Sequence, residues 1–168
     1  MQRRTVLAGM GAMMAAGGAQ AADDRLAQAV RAFLQAYEDA WNAADAKAMF
    51  ERATPDVHWI NVVGMHWRGR EDVETAHRVY FDIMFRGVPL KLVEIERLTP
   101  LAPEVVVCVA CWRVGAYRTP GGQMRPEALN RMSFTLVGPP EALRMAHVAN
   151  IEVVAEAQQH DPVGGRRG

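Results

Sequence analysis

Between residues 25 and 41 apolar side chains recur every three or four positions, at Leu26, Val30, Phe33, Leu34, Tyr37 and Trp41. That period lays them along one face of a helix. Asn42-Ala43-Ala44-Asp45 interrupts it, and the Asp45 carboxylate suits the N-cap of a short helix running to Phe50. Thr54-Pro55-Asp56 reads as a turn, Val57–Val63 as a strand, and Gly64–Gly69 as a reversal with room for a short paired strand at His66-Trp67. A second amphipathic helix opens on Glu71 and Asp72, whose charges favour the positive end of the helix dipole. Its inner stripe is Val73, His77, Tyr80, Phe81 and Met84, and it stops at Arg86-Gly87 ahead of Pro89.

Beyond Pro89 the helical period ends. Leu90–Leu98, Glu104–Tyr117, Leu129–Val137 and Leu143–Val154 read as strands, separated by prolines and glycines. Helices first, then consecutive hairpin-connected strands, predict an α+β domain. Five or six strands with three helices to cover them must curl around those helices.

The chain has 168 residues, enough for one domain, and half of them are hydrophobic. Its 19 basic and 19 acidic side chains balance, which argues against nucleic acid as a partner, since phosphate binding needs a basic surplus. After residue 22 no apolar run is long enough to span a membrane. The first 21 residues differ from the rest: Arg3-Arg4, an apolar run from Val6 to Ala16, and Ala19-Gln20-Ala21 have the layout of an export signal with an A-x-A cleavage site. The arginine pair resembles a twin-arginine signal, with the Sec route as the alternative. Cleavage there leaves a slightly acidic mature protein, expected in the periplasm or outside the cell. The expected organisation is a signal over 1–21, one domain over 22–157 and a polar, mobile tail over 158–168.

Cys108 and Cys111 lie in one strand, where three residues span roughly 10 Å against the roughly 7 Å a disulfide tolerates. They read as buried thiols. His58, His66, His77 and His147 show no H-x-x-x-H or H-E-x-x-H spacing, and no glycine-rich loop joins a strand to a helix. No metal or cofactor is expected.

Several pieces together resemble the nuclear transport factor 2-like superfamily. They are Trp41-Asn42-Ala43-Ala44-Asp45, Phe50, Asp56-Val57-His58-Trp59-Ile60-Asn61-Val62-Val63-Gly64, Gly69, His77, Arg131 and Ala146-His147-Val148-Ala149-Asn150. The superfamily is the cone-shaped α+β fold shared by ketosteroid isomerases, scytalone dehydratase and SnoaL-like polyketide cyclases. Within it the pieces are most similar to the SgcJ/EcaC group of small bacterial proteins. The resemblance, over about residues 26 to 154, implies a mostly apolar pocket between sheet and helices, and a homodimer formed through the outer sheet face. It sets Tyr37 where the isomerases carry an oxyanion-hole tyrosine, but Asn61 where they carry the proton-abstracting carboxylate. An amide has no proton affinity for that task. An epoxide-hydrolase arrangement of this fold finds Asn61 and Arg131, but Ser133 where an aspartate is needed.

The candidate catalytic residues are therefore His77, Asn61 and Arg131. Asn61 shares strand parity with Trp59 and reads either as a ligand or water contact or as a structural bond to a neighbouring loop. His77 is either a satisfied core histidine or, in a pocket, the best acid–base group. Arg131 is either a solvated arginine on the exposed face or a clamp for a carboxylate or enolate oxygen. Tyr37, Trp59, Tyr80, Phe81, His147 and Asn150 are the expected ligand contacts. The odd separation of His147 and Asn150 needs a β-bulge if both face inward, and His147 is favoured over Asn150. Trp67 and Trp112 read as core or interface. The expected function is an exported protein holding a small hydrophobic ligand. It either performs acid–base chemistry on it, as an isomerase, cyclase, dehydratase or oxidoreductase-like enzyme, or serves as a non-catalytic binding or dimeric scaffold module.

Overall fold

The computed structural model describes residues 10–164. Arg3-Arg4 and the start of the export signal lie outside the described residues, as does the end of the tail. Helix α1 (Met10–Asn42) buries Val30, Phe33, Leu34 and Tyr37, the stripe its periodicity predicts. It is pinned to the sheet edge by polar side chains near its C-terminus. Trp41 Nε1 donates to the Val88 carbonyl at 2.9 Å. The Asn42 carboxamide pairs with both backbone groups of Leu90, each at 2.9 Å. Glu38, buried, accepts from Leu92 N at 2.6 Å and from Lys91 Nζ at 2.9 Å. Helix α2 (Ala46–Phe50) is capped by Asp45, which accepts from Ala48 N at 3.0 Å.

Strand β1 (Ala53–Ile60) starts earlier than expected, so Thr54-Pro55-Asp56 is strand rather than turn. Proline is tolerated because residues between Ala53 and His58 fall in a register shift against the neighbouring strand, where no ladder donor is required. β1 also ends earlier, at Ile60. Strand β2 (His66–Arg68) folds back on it antiparallel, as His66-Trp67 suggests. Helix α3 (Arg70–Tyr80) continues into a π-helical turn, Phe81–Phe85. Strands β3 (Leu90–Ala102) and β4 (Val105–Val114) form the long hairpin. Pro100 lies inside β3, an edge strand, where a missing N–H is harmless. A separate two-stranded ribbon, β5 (Tyr117–Arg118) with β6 (Met124–Arg125), precedes β7 (Ala128–Val137) and β8 (Arg144–Glu152). A short helix, α4 (Ala155–Gln158), follows.

The main sheet has the order β2-β1-β8-β7-β4-β3. β1 and β8 run parallel, and every other pair is antiparallel. Its inner face carries Val57, Trp59, Val106, Cys108, Ala110, Trp112, Met132, Phe134 and Val148, all buried against α1–α3. Cys108 and Cys111 are both free and buried, and burial pushes the Cys108 thiol up to about 12. No described helix is long and apolar enough to cross a membrane.

Candidate functional site

A cleft of about 70 Å³ lies between the inner face of the sheet, α1 and α3. Its walls are largely aromatic: Tyr37, Trp41, Trp59, Trp67, Phe85 and Tyr117. At about 10–15 Å³ per water position, the space holds a handful of waters or one small ring. Its polar groups are few, the arrangement that small-molecule sites use to orient a ligand.

His77 is one of them, and it is buried. Phe50, Trp59 and Trp67 enclose its ring at centroid distances of 4.7, 4.8 and 5.4 Å. Its Nδ1 donates to the Val73 carbonyl one turn back, at 2.8 Å. The neutral ring therefore carries its hydrogen on Nδ1 and offers the Nε2 lone pair. Burial pushes the His77 pKa down to about 4, only partly offset by the Val73 bond. Tyr37 faces the same cleft, stacked near Trp59 at 6.2 Å and edge-on to Trp112 at 5.6 Å. Burial raises its pKa far above the usual tyrosine value, so the hydroxyl is a permanent donor.

Asn61 lines the cleft together with His77 and Trp59. It lies just beyond β1, not within it: its Oδ1 accepts from Val63 N at 3.1 Å and Met65 N at 2.8 Å, ending the strand and closing the β1–β2 turn. The loop-bonding reading is thus what the geometry shows for the carbonyl oxygen. The amide nitrogen is left for other partners.

Arg131 is not in the cleft. Its parity with Leu129, Ser133 and Thr135 sends it to the outer face, where it donates to both carboxylate oxygens of Glu96, at 2.8 and 2.7 Å. His147 is also outside. It pairs with Thr135 on β7 and with His58 on β1, while Val148 and Asn150 face inward opposite Phe134 and Met132. The bulge in β8 does exist, but it falls between Met145 and His147 rather than between His147 and Asn150. The expected preference for His147 over Asn150 is therefore reversed. Asn150 lines the cleft and accepts from Asn130 Nδ2 at 3.0 Å.

Tyr80 and Phe81 fall outside the lining as well. Tyr80 lies on the rim, its hydroxyl on the Met65 sulfur at 3.2 Å, and Phe81 is buried behind Trp41 at 5.2 Å. The π turn that starts at Phe81 changes which later position faces inward. One extra residue per turn rotates the stripe, and Phe85 reaches the cleft. Trp41, Trp67, Phe85, Asn130 and the Arg125–Glu152 pair at the mouth escape the sequence reading. Asn130 had a signal, since it shares parity with Met132 and Phe134 on β7. Arg125 donates to both oxygens of Glu152 at 2.9 and 2.7 Å, tying the β5–β6 ribbon to β8 and leaving the mouth without net charge. Among the described residues no three His, Cys, Asp or Glu side chains converge as a metal-binding group.

A curved mixed sheet closed over three helices, with an aromatic cleft inside, defines the nuclear transport factor 2-like cone. The chain belongs to the SnoaL-like domain family, which it matches over residues 30–136. It is similar to an uncharacterized protein with a cystatin-like fold from Caulobacter vibrioides: 35% identity, 82% of this chain and 96% of that one, TM-score 0.76. A nuclear transport factor 2-like superfamily protein from Salmonella enterica matches at 20% identity over 79% and 94% of the two chains, TM-score 0.66. A ketosteroid isomerase-like protein from Erwinia carotovora atroseptica matches at 16% identity over 76% and 95%, TM-score 0.63. At those last two identities the likeness is one of fold. No curated protein matches the chain.

Proposed function

We propose that the cleft binds a small, uncharged, ring-bearing carbonyl compound and that His77 transfers a proton on it while Tyr37 donates to the carbonyl oxygen. The observation that carries this reading is the state of His77: neutral, locked through Nδ1, with Nε2 left free on a ring that lines an aromatic cleft. A base held near 4 is weak, but weak bases remove protons next to a carbonyl when fixed donors stabilise the enolate oxygen. Tyr37 is such a donor, and its raised pKa keeps the proton on the tyrosine. Charged ligands are disfavoured because Arg125 and Glu152 neutralise one another at the mouth.

Hydrogen–deuterium exchange next to the carbonyl of simple cyclic ketones and enones, followed by NMR, tests the proton transfer without knowledge of the product. We expect exchange to accelerate with the wild-type protein. His77→Gln should lose at least about 100-fold of it, the low end of what a general base contributes. Quenching of tryptophan fluorescence reports binding separately. A second reading, a non-catalytic carrier, is favoured by the commitment of Asn61 to its turn. Probe binding by both proteins, with no exchange by either, would establish it.

We further propose that residues 1–21 direct export. Replacing Arg3 and Arg4 together by lysine should leave the protein in the cytoplasmic fraction if the twin-arginine route is used, and leave export unchanged if the Sec route is used.

A further inference from the structure

The outer face of the β2 edge holds a feature that the cleft does not use. His58 on β1 and His66 on β2 are both exposed, and their rings lie nearly parallel, 26° apart with centroids at 5.2 Å. His58 Nδ1 and His66 Nε2 are separated by 3.0 Å. At metal–nitrogen distances of about 2.0–2.1 Å, two imidazole nitrogens on one ion at square-planar to tetrahedral angles lie about 2.9–3.4 Å apart. The two nitrogens therefore already stand at the spacing of a two-point chelate; an ion about 2.0–2.1 Å from both would sit to one side of the line that joins them, and a tilt of the two exposed rings turns their lone pairs onto it. His147, the register partner of His58 on β8, sits on the same face.

We propose that His58 and His66 together bind a borderline-soft divalent transition metal ion, with Cu2+ preferred over Ni2+ and Zn2+, and with water completing its coordination. Imidazole donors suit these ions, and affinity follows that order for a nitrogen site open to solvent. No hydrogen need leave the protein, because the shared proton moves to the other nitrogen of its own ring. If that ring is His66, the receiving atom is Nδ1, which now accepts weakly from Arg68 Nε at 3.5 Å. Arg68 opposes the ion twice, by that contact and by its charge. Binding would clip β2 to β1, and β2 carries Trp67, which forms part of the cleft wall.

The test is calorimetric titration of the full chain with Cu2+ and with Ni2+ at neutral pH, with thermal unfolding in parallel. The wild type should take up one equivalent and unfold at a higher temperature with metal present. His58→Ala and His66→Ala should each weaken binding by at least about tenfold, as losing even an outer-shell partner does, and should abolish the thermal shift. Arg68→Ala keeps both ligands and should bind more tightly than wild type. Equal affinity in wild type and both histidine variants would overturn the proposal, as would Arg68→Ala binding no better than His66→Ala. Neither outcome bears on His77, which lies on the opposite face of the sheet.

Discussion

His77 shows how one side chain couples the cleft to the stability of the whole protein. Its folded pKa of about 4 lies below the ordinary histidine value of 6.5. Between those limits the unfolded chain binds a proton that the folded chain refuses. Stability attached to His77 is therefore fully present above 6.5 and is lost as the pH falls toward 4. The shift corresponds to roughly 3 kcal/mol. Denaturant titrations at several pH values should show this slope in the wild type and lose most of it in His77→Gln. Exchange activity should vanish over the acid side of the same histidine titration. Asn61 offers a second check at this scale. Asn61→Ala removes two side-chain bonds from the β1–β2 turn and should cost about 1 kcal/mol in the denaturation midpoint. Sequence alone could place Asn61 and Trp59 toward one side. It could not say that the carboxamide would turn back on the backbone two and four residues ahead, because that depends on where the strand stops.

The elements were largely legible. The helical stripe from Leu26 to Trp41, the Asp45 cap and the β-branched runs after Pro89 each follow from local chemistry, and each forms as that chemistry requires. What misled was irregularity. The π turn at Phe81–Phe85 is set by packing against Trp41 and Tyr117, with Phe85 centroids at 5.2 and 4.8 Å from their rings, and no periodicity announces it. Likewise the β8 bulge decides whether His147 or Asn150 faces inward, and its position is fixed by pairing with β7 across the sheet. The union of α1 with β3 also rests on tertiary contacts that sequence leaves open. Glu38→Ala would leave the half-buried Leu92 N–H unpaired at the bulge between Leu92 and Glu94, at a cost of about 1–3 kcal/mol. Lys91→Ala should cost less than about 1 kcal/mol, because its ammonium is mostly in water. Comparing the two denaturation midpoints separates the backbone bond from the surface ion pair.

For the whole molecule, the two sheet faces do different work. Arg131 with Glu96 and the three histidines lie outside, while the aromatic cleft lies inside. Arg131→Ala should therefore leave exchange activity and ligand quenching unchanged and shift stability by no more than about 1 kcal/mol. Half-exposed Val107 and Val109 and exposed Ile151 share that outer face. We propose that a second copy covers them, and light scattering at twice the 18.6 kDa chain mass is the expected result.

The placement of β8 has a consequence for how the protein is made. The last long strand enters between β1 and β7, so the first strand has no neighbour on that side until the chain is synthesised past Glu152. A ribosome-bound nascent chain can assemble the β3–β4–β7 portion early, since those strands are joined by hairpins or a short excursion. Trp59, however, must wait for β8 before it is fixed beside Val148, and Trp67 is held only through its pairing with Trp59. Released fragments ending near Gly138 should be protease-sensitive in β1 and β2 yet protected in the central hairpin, and protection of the cleft should appear only in chains that include β8.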